Sequence, residues 1–275
     1  MKTIFIDADG TLYHHEGYIP DSARQAVYRA QEKGHRIILA TGRACCELDD
    51  ALRSIPYDGM ICTSGSYIQM GDTVLLDTGF SKEQLQFLME YEQANDQLFI
   101  YESNQGLICS QEVKKAVKQM IADQCADLGK EEYRAHGLVK MDRQLMVDSP
   151  ASHIIKIINF LPTPLGYQRV KHDLEDQFDL VPSTFEPLGR ESGEIMNRDY
   201  SKGTAVQLIR NTYRIAKQDV IAIGDGFNDL PMFEEAGISV AMGNADPKVQ
   251  KKATFTAPSF EEDGLSVAFQ QLSLL

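Results

Sequence analysis

The sequence has no run of about 18 consecutive apolar residues, the length a helix needs to cross a bilayer, so no membrane span is expected. Its first residues hold one lysine and a very short apolar stretch that two aspartates interrupt, which does not read as a signal peptide. Cysteine is sparse. Cys45, Cys46, Cys62, Cys109 and Cys125 form no CxxC pair, so neither a zinc site nor a disulfide framework is expected, and a reducing cytoplasm fits the odd count. Positive charge is short as well: 27 Lys and Arg against 40 Asp and Glu leave a net charge of −13, with no basic cluster. That balance argues against nucleic acid as a partner, because such binding rests on clustered cations that neutralise phosphates. An anionic ligand would have to be met by a few placed cations or by a metal. Internal repeats and low-complexity tracts are also missing. What is present is a globular chain of 275 residues, 43% hydrophobic and 24% charged, enough for one large or two ordinary domains.

The chain begins and ends in one rhythm and changes it between. TIFID reads as a strand, and SARQAVYRAQEKG as a helix with Ala23, Ala26, Val27 and Ala30 at helical spacing and Gly34 as its stop. HRIILATGR is a continuous apolar run that suits a buried parallel strand. A helix over Cys45 to Ile55 and a short strand, GMICTS, follow. Strands alternating with helices predict a parallel sheet with right-handed crossovers. From about Ser81 to Thr184 the pattern becomes a helix, two neighbouring short strands, a second helix, a loop-rich stretch, the strand ASHIIKIINFL, a third helix and the strand FDLVPST. Neighbouring strands without long crossovers suggest an antiparallel sheet with helices on one side. From about Tyr200 the parallel rhythm returns with SKGTAVQLIRNTY, DVIAIGDG, LPMFEEAG and ISVAMG. The expected architecture is therefore an α/β core made from residues 1–80 and 190–275, with an α+β domain inserted at residues 81–189.

In open α/β sheets ligands bind beyond the carboxyl ends of the strands, and three expected strands of one sheet end there in polar groups. TIFID runs into Asp7, Ala8, Asp9, Gly10 and Thr11; IILA runs into Thr41, Gly42 and Arg43; VIAIG runs into Asp225, Gly226, Phe227, Asn228 and Asp229. Side chains two apart on a strand point the same way, so Asp7 and Asp9 share one side if the strand persists through both. Acidic residues at a strand end also serve as turn or cap groups, and a single DxD does not separate the two uses. Asp225 and Asp229 at a second strand end shift the balance. Four converging carboxylates would force at least one pKa strongly upward unless a cation joined them. Mg²⁺ accepts oxygen ligands and completes its octahedron with waters and a phosphate oxygen, so a magnesium ion facing a phosphate is the expected occupant. The Gly42 N–H and Thr41 hydroxyl then suit phosphate oxygens. Lys202, which gains nothing from the dipole at a helix start, has a reason to be there.

DADGT, the strand ending in ATGR, the KGTA helix start and GDGFND, in this order, resemble the four motifs of the haloacid dehalogenase superfamily of phosphatases. The insertion resembles that of the Cof-type subgroup, whose α+β cap is of the C2B kind, and FEPLGRESGEIMNRDYSKGTAV resembles its cap-to-core return. The resemblance covers the whole chain and implies a Rossmann-like core. It implies Asp7 as the nucleophile that forms an aspartyl-phosphate, and Asp9 as general acid toward the leaving alcohol and then base on water. It also implies a metal bound by the Asp7 carboxylate, the Asp9 main-chain carbonyl and the Asp225 carboxylate. Asp229 would assist through water or hydrogen bonds. Thr41, Gly42, Lys202 and Asn228 would hold the phosphoryl oxygens. One departure is visible: where relatives commonly carry Asn-Gly-Ala after the third strand, this chain has Ser64-Gly65-Ser66.

A cap that closes over the site would exclude water, with hinges expected near 78–81 and 187–193. Arg190, Glu191, Ser192 and polar residues around Lys156 and Asn159 are candidates to touch substrate, although Lys156 reads better as a solvent-facing strand lysine. His14, His15, Tyr13 and Tyr18 read as loop and packing residues. The expected activity is a Mg²⁺-dependent phosphomonoester hydrolase acting on small phosphorylated metabolites, sugar phosphates or phosphorylated cofactors, as a cytoplasmic monomer or weak homo-oligomer. The alternatives are a phosphomutase of the same fold and a non-catalytic phosphate-binding switch. Asp9, two residues after the expected nucleophile, favours turnover over the switch.

Overall fold

The computed structural model describes residues 1–150, 153–160, 166–183, 186–189 and 191–275. The chain divides into two compact units, one made of Met1–Asp77 and Asp199–Leu275, the other of Thr78–Arg198.

The first unit starts with β1 (Thr3–Asp7), α1 (Asp21–Glu32), β2 (Arg36–Ala40), a short α2 (Asp50–Arg53), β3 (Gly59–Cys62), β4 (Tyr67–Met70) and β5 (Thr73–Asp77). The second holds α3 (Lys82–Ala94), β6 (Leu98–Ser103), β7 (Gly106–Cys109), α4 (Gln111–Gln124), α5 (Lys130–Ala135), α6 (Gly137–Gln144), β8 (Leu145–Val147), β9 (Lys156–Phe160), α7 (Tyr167–Leu174), β10 (Phe178–Pro182) and β11 (Gly193–Asn197). The chain then returns to the first unit with α8 (Lys202–Tyr213), β12 (Val220–Gly224), α9 (Leu230–Glu235), β13 (Ile238–Ala241), α10 (Pro247–Gln250), β14 (Phe255–Thr256) and α11 (Gly264–Gln271).

The first unit is built on an eight-stranded sheet ordered β14-β13-β12-β1-β2-β3-β4-β5. Its strands from β14 to β3 pair in parallel, and the β4–β5 hairpin adds an antiparallel edge. β1 lies in the middle and is buried along its length, as a central parallel strand with both faces covered must be. Alternate residues feed separate cores: Ile4 and Ile6 pack with α1 and α11 residues such as Val27 and Phe269, while Phe5 packs with Val206 and Ile209 of α8. The helix expected over Cys45 to Ile55 is instead a 3-10 turn at Cys45–Glu47 followed by α2, because Asp49 caps a new start by accepting from Leu52 N at 3.0 Å.

The second unit carries a six-stranded sheet ordered β10-β11-β9-β6-β7-β8, antiparallel except for the β7–β8 pair. Helices cover both of its faces, not one. Ile100, Ile158 and Phe160 pack with α4 and α6, and their strand neighbours Phe99 and Ile157 pack with α3 and α7. The stretch that reads as loop after residue 129 supplies α5, α6 and β8, and α6 adds Leu138, Val139 and Met141 to the cluster on the α4 face. The boundary expected at residue 190 also moves. β11 pairs with β9 and β10, so 193–197 belong to the inserted sheet and the return to the first unit follows Arg198.

Candidate active site

β1 ends at Asp7, and the chain turns at once. Thr11, Leu12 and Tyr13 donate their N–H groups to the Ala8 carbonyl. Gly10 sits at φ +82°, and a Cβ there would lie 2.4 Å from Asp225 Oδ2, so only glycine lets the two loops meet. The strand thus does not persist through Asp9. The carboxylates of Asp7, Asp225 and Asp229 lie with one oxygen each within 4.8 Å of one another. Asp9 points elsewhere: both of its oxygens accept from Arg43, Nε to Oδ2 at 2.9 Å and Nη2 to Oδ1 at 2.6 Å. Three carboxylates converge where four were expected.

Lys202 bridges two members of that cluster. It opens α8, whose start is fixed by Ser201 accepting from Thr204 N, and its side chain is fully buried. Its ammonium donates to Asp7 Oδ1 and, at 2.6 Å, to Asp229 Oδ1. Burial opposes its charge, but the charges of Asp229 and Asp7 outweigh that and raise its pKa. Asp229 is fully buried too, and its Oδ2 accepts from the N–H of Asp225 and Gly226 at 3.0 and 2.9 Å. Asp225 Oδ1 accepts from the Thr11 hydroxyl at 3.1 Å, and Oδ2 from Asn244 Nδ2 at 3.2 Å.

The electrostatics are strained. Burial, and then the charge of Asp229, raise the Asp7 pKa well above the carboxylate range, against the pull of Lys202. Burial and Asp229 push Asp225 up to about 6. One ammonium cannot balance three carboxylates, and two negative charges are left over when all are ionised. The donor set is all oxygen, which suits a hard divalent cation, and a dication supplies the missing charge. Asp7 and Asp225 are close enough to share such an ion.

The second strand end is pinned by the turn after β3. Thr63 N donates to the Arg43 carbonyl at 2.8 Å and Ser64 N to the Thr41 carbonyl at 3.0 Å, with Thr63 and Ser64 both at left-handed φ. The buried Thr41 hydroxyl accepts from Arg43 N at 3.1 Å. A Cβ on Gly42 would lie 3.5 Å from Ser64 Oγ and 3.8 Å from Asn228 Nδ2, so Gly42, Ser64 and Asn228 converge on one spot. The serine that departs from the resembled pattern thus places a hydroxyl at the loop that carries Thr41 and Gly42.

The sequence profile of the haloacid dehalogenase-like hydrolases matches residues 4–269. The chain belongs to that family. Among its relatives, the 5-amino-6-(5-phospho-D-ribitylamino)uracil phosphatase YwtE of Bacillus subtilis is 26% identical over 99% of this chain and 98% of its own. The pyridoxal phosphate phosphatase YbhA of Escherichia coli is 23% identical over 96% of each chain. Among solved structures, the haloalkanoate-superfamily phosphatase BT1666 of Bacteroides thetaiotaomicron is 25% identical, with a TM-score of 0.78 over all of this chain and 96% of that one. A Geobacillus kaustophilus protein superposes with a TM-score of 0.81 at 23% identity, covering 100% of this chain and 99% of its own. This family member is an enzyme, a hydrolase, and none of its described helices is long and apolar enough to cross a membrane.

Three residues of the hydrolase's site have no role that the sequence motifs disclose. Arg43 and Thr11 stand inside those motifs without a partner, and Asn244 follows the ISVAMG strand directly. Asn244 joins loops by donating to Gly10 O at 3.0 Å and to Asp225, and by accepting from Phe260 N at 2.9 Å. His14 stays outside the carboxylate cluster, with Nε2 3.1 Å from Glu261 Oε1 and its ring beside Tyr18 and Phe260. In the inserted unit Lys156 is buried rather than solvent-facing, because it pairs with buried Glu102 at 2.9 Å and with Glu194 at 3.7 Å. Asn159 is fully buried with its amide unpaired, Ser192 is buried and donates to Gly189 O, and Glu191 is exposed. Arg190 lies outside the described residues.

Proposed function

We propose that this hydrolase is a Mg²⁺-dependent phosphatase that cleaves small phosphorylated metabolites, sugar phosphates or phosphorylated cofactors, through an aspartyl-phosphate on Asp7. The observation that carries the reading is the cluster of buried Asp7, partly buried Asp225 and buried Asp229, in which Lys202 pairs with Asp7 and Asp229 and two negative charges are left for a dication. The named phosphatases among its relatives support the same class of reaction, and two of their names specify a phosphorylated ribitylaminouracil and pyridoxal phosphate.

The Asp7 and Asp225 carboxylates and the Asp9 main-chain carbonyl would hold the metal, with Asp229 fixing Asp225 through its backbone N–H. When bound, Mg²⁺ would neutralise carboxylate and phosphate charge. A carboxylate oxygen of Asp7 attacks phosphorus while the bond from phosphorus to the ester oxygen breaks, and Asp9 gives that oxygen its proton. Asp9, now a carboxylate, takes a proton from the water that attacks the phosphorus, and the bond to Asp7 breaks to release phosphate. Thr41, Gly42, Asn228 and Lys202 are assigned to the phosphoryl oxygens, on which charge spreads during transfer. The inserted unit is assigned the cap's task of admitting substrate and excluding water.

Activity on p-nitrophenyl phosphate tests the reading. EDTA should silence the wild type and Mg²⁺ restore it; turnover indifferent to chelation would defeat the metal assignment.

A further inference from the structure

Arg43 stands at the end of β2, where the sequence offers no partner for it. Its guanidinium grips both oxygens of Asp9, at 2.9 and 2.6 Å, in the fork geometry that suits a carboxylate. The grip is itself held in place. The guanidinium carbon lies 4.7 Å from the centroid of the Tyr13 ring, a cation–π distance. The Tyr13 hydroxyl donates to Asp49, the cap of α2, and the Arg43 backbone is tied at both ends by Thr41 and Thr63. Asp9 has no such support of its own. Its side chain is 51% exposed on a turn, against 28% for Arg43, and no other side-chain hydrogen bond reaches it among the described residues. The fork thus lends Asp9 the rigidity that its own turn does not supply.

We propose that Arg43 is a positioning residue for the phosphoryl-transfer step, fixing the direction of the Asp9 carboxyl group. The proposal rests on the phosphatase reading and adds to it a residue that touches neither phosphate nor metal. A proton donor acts only within hydrogen-bond reach of the leaving oxygen, and an exposed aspartate on a turn would otherwise spread over several rotamers. The fork removes that freedom. Each Asp9 oxygen keeps a second lone-pair site for the proton it passes. Held in one direction, the Asp9 carboxyl group meets the leaving oxygen without a search through rotamers, and this orientation is what the fork contributes to rate.

The experiment compares leaving groups. Nitrophenolate departs without a proton, whereas an alkoxide needs one, and kcat/KM reports only steps up to transfer onto Asp7. Arg43→Ala should lower kcat/KM about 100-fold for the best-accepted primary alkyl ester in a sugar-phosphate panel, and less than about threefold for p-nitrophenyl phosphate. Arg43→Lys, which keeps the charge but loses the fork, should fall between Ala and wild type on the alkyl ester. The melting temperature of each variant should stay close to that of wild type. The Arg43→Ala, Asp9→Asn double variant should be no slower on the alkyl ester than Asp9→Asn alone, as expected of one residue acting through the other. Equal losses on both esters, or losses that multiply in the double variant, would overturn the proposal. A wild type inert toward both esters would instead remove the phosphatase reading, and this proposal with it.

Discussion

Lys202 sets the charge balance of the carboxylate cluster. It is fully buried, and removing it leaves Asp7 and Asp229 without their shared ammonium. Lys202→Met should therefore cost about 3 kcal/mol or more in chemical denaturation, since breaking a buried pair strands its partners. It should also abolish phosphatase activity, and a variant as stable and active as wild type would contradict that role. Asp7→Asn should remove turnover of p-nitrophenyl phosphate while leaving a cooperative melt, with no mass increase from phosphate on the protein; retained turnover would exclude Asp7 as nucleophile. The convergence of Asp7, Asp225 and Asp229 was legible because each acid sits at or just after a strand end inside a short motif. The Arg43–Asp9 fork was not, because the two residues lie in loops that follow different strands, and only the register of β1 against β2 brings those loops together. The three-carboxylate cluster differs from the expected four for a related reason: the Ala8 turn ends the alternation that would have aimed Asp9 beside Asp7.

The turn after β3 links two parts of the site. Gly65 lies at φ +122°, and a Cβ there would come within 2.4 Å of the Ser201 carbonyl, the residue that caps α8. Gly65→Ala must strain that turn or push back the helix start that presents Lys202. The expected loss is about 1–3 kcal/mol in denaturant melts, with lower kcat, and an unchanged melt would show that the turn adapts. The parallel strands β1, β2, β3, β12 and β13 and the helices α1, α8 and α9 were readable from continuous apolar runs and helical spacing, whereas β14, α10 and α11, two to eight residues long, were not. The β4–β5 hairpin was not: β5 exposes Thr73, Val74 and Asp77, and an edge strand so exposed lacks a buried apolar run. α5 and α6 escaped notice because they are short, six and eight residues, and α5 buries none of its side chains.

For the chain as a whole, the acid cluster links proton binding, magnesium and stability. Asp225 is held at about 6, whereas in the unfolded chain it titrates near about 4. Between those values the metal-free fold keeps a proton that the unfolded chain has lost, so its stability falls as pH rises through that window. Asp7, also raised, acts in the same sense. Magnesium favours the ionised forms, so it should raise the melting temperature more at about pH 7.5 than at about pH 5. Equal shifts at both would contradict ion binding by these carboxylates. The inserted unit makes a separate prediction. Its sheet uses only its own strands and its faces carry two buried clusters, so residues 78–198 expressed alone should melt cooperatively. A non-cooperative melt would mean that the insertion depends on the rest of the chain.

The central position of β1 has a consequence for biosynthesis. Thr3 is matched with Arg36 on one side and with Val220 on the other, so β1 gains its first neighbour soon after synthesis and its second only long afterwards. During translation an apolar ribbon must wait with one flank open while the insertion assembles from nearer contacts. The nascent polypeptide is thus most prone to self-association before VIAIG emerges, and shielding of that flank by a chaperone would have its greatest value in that interval.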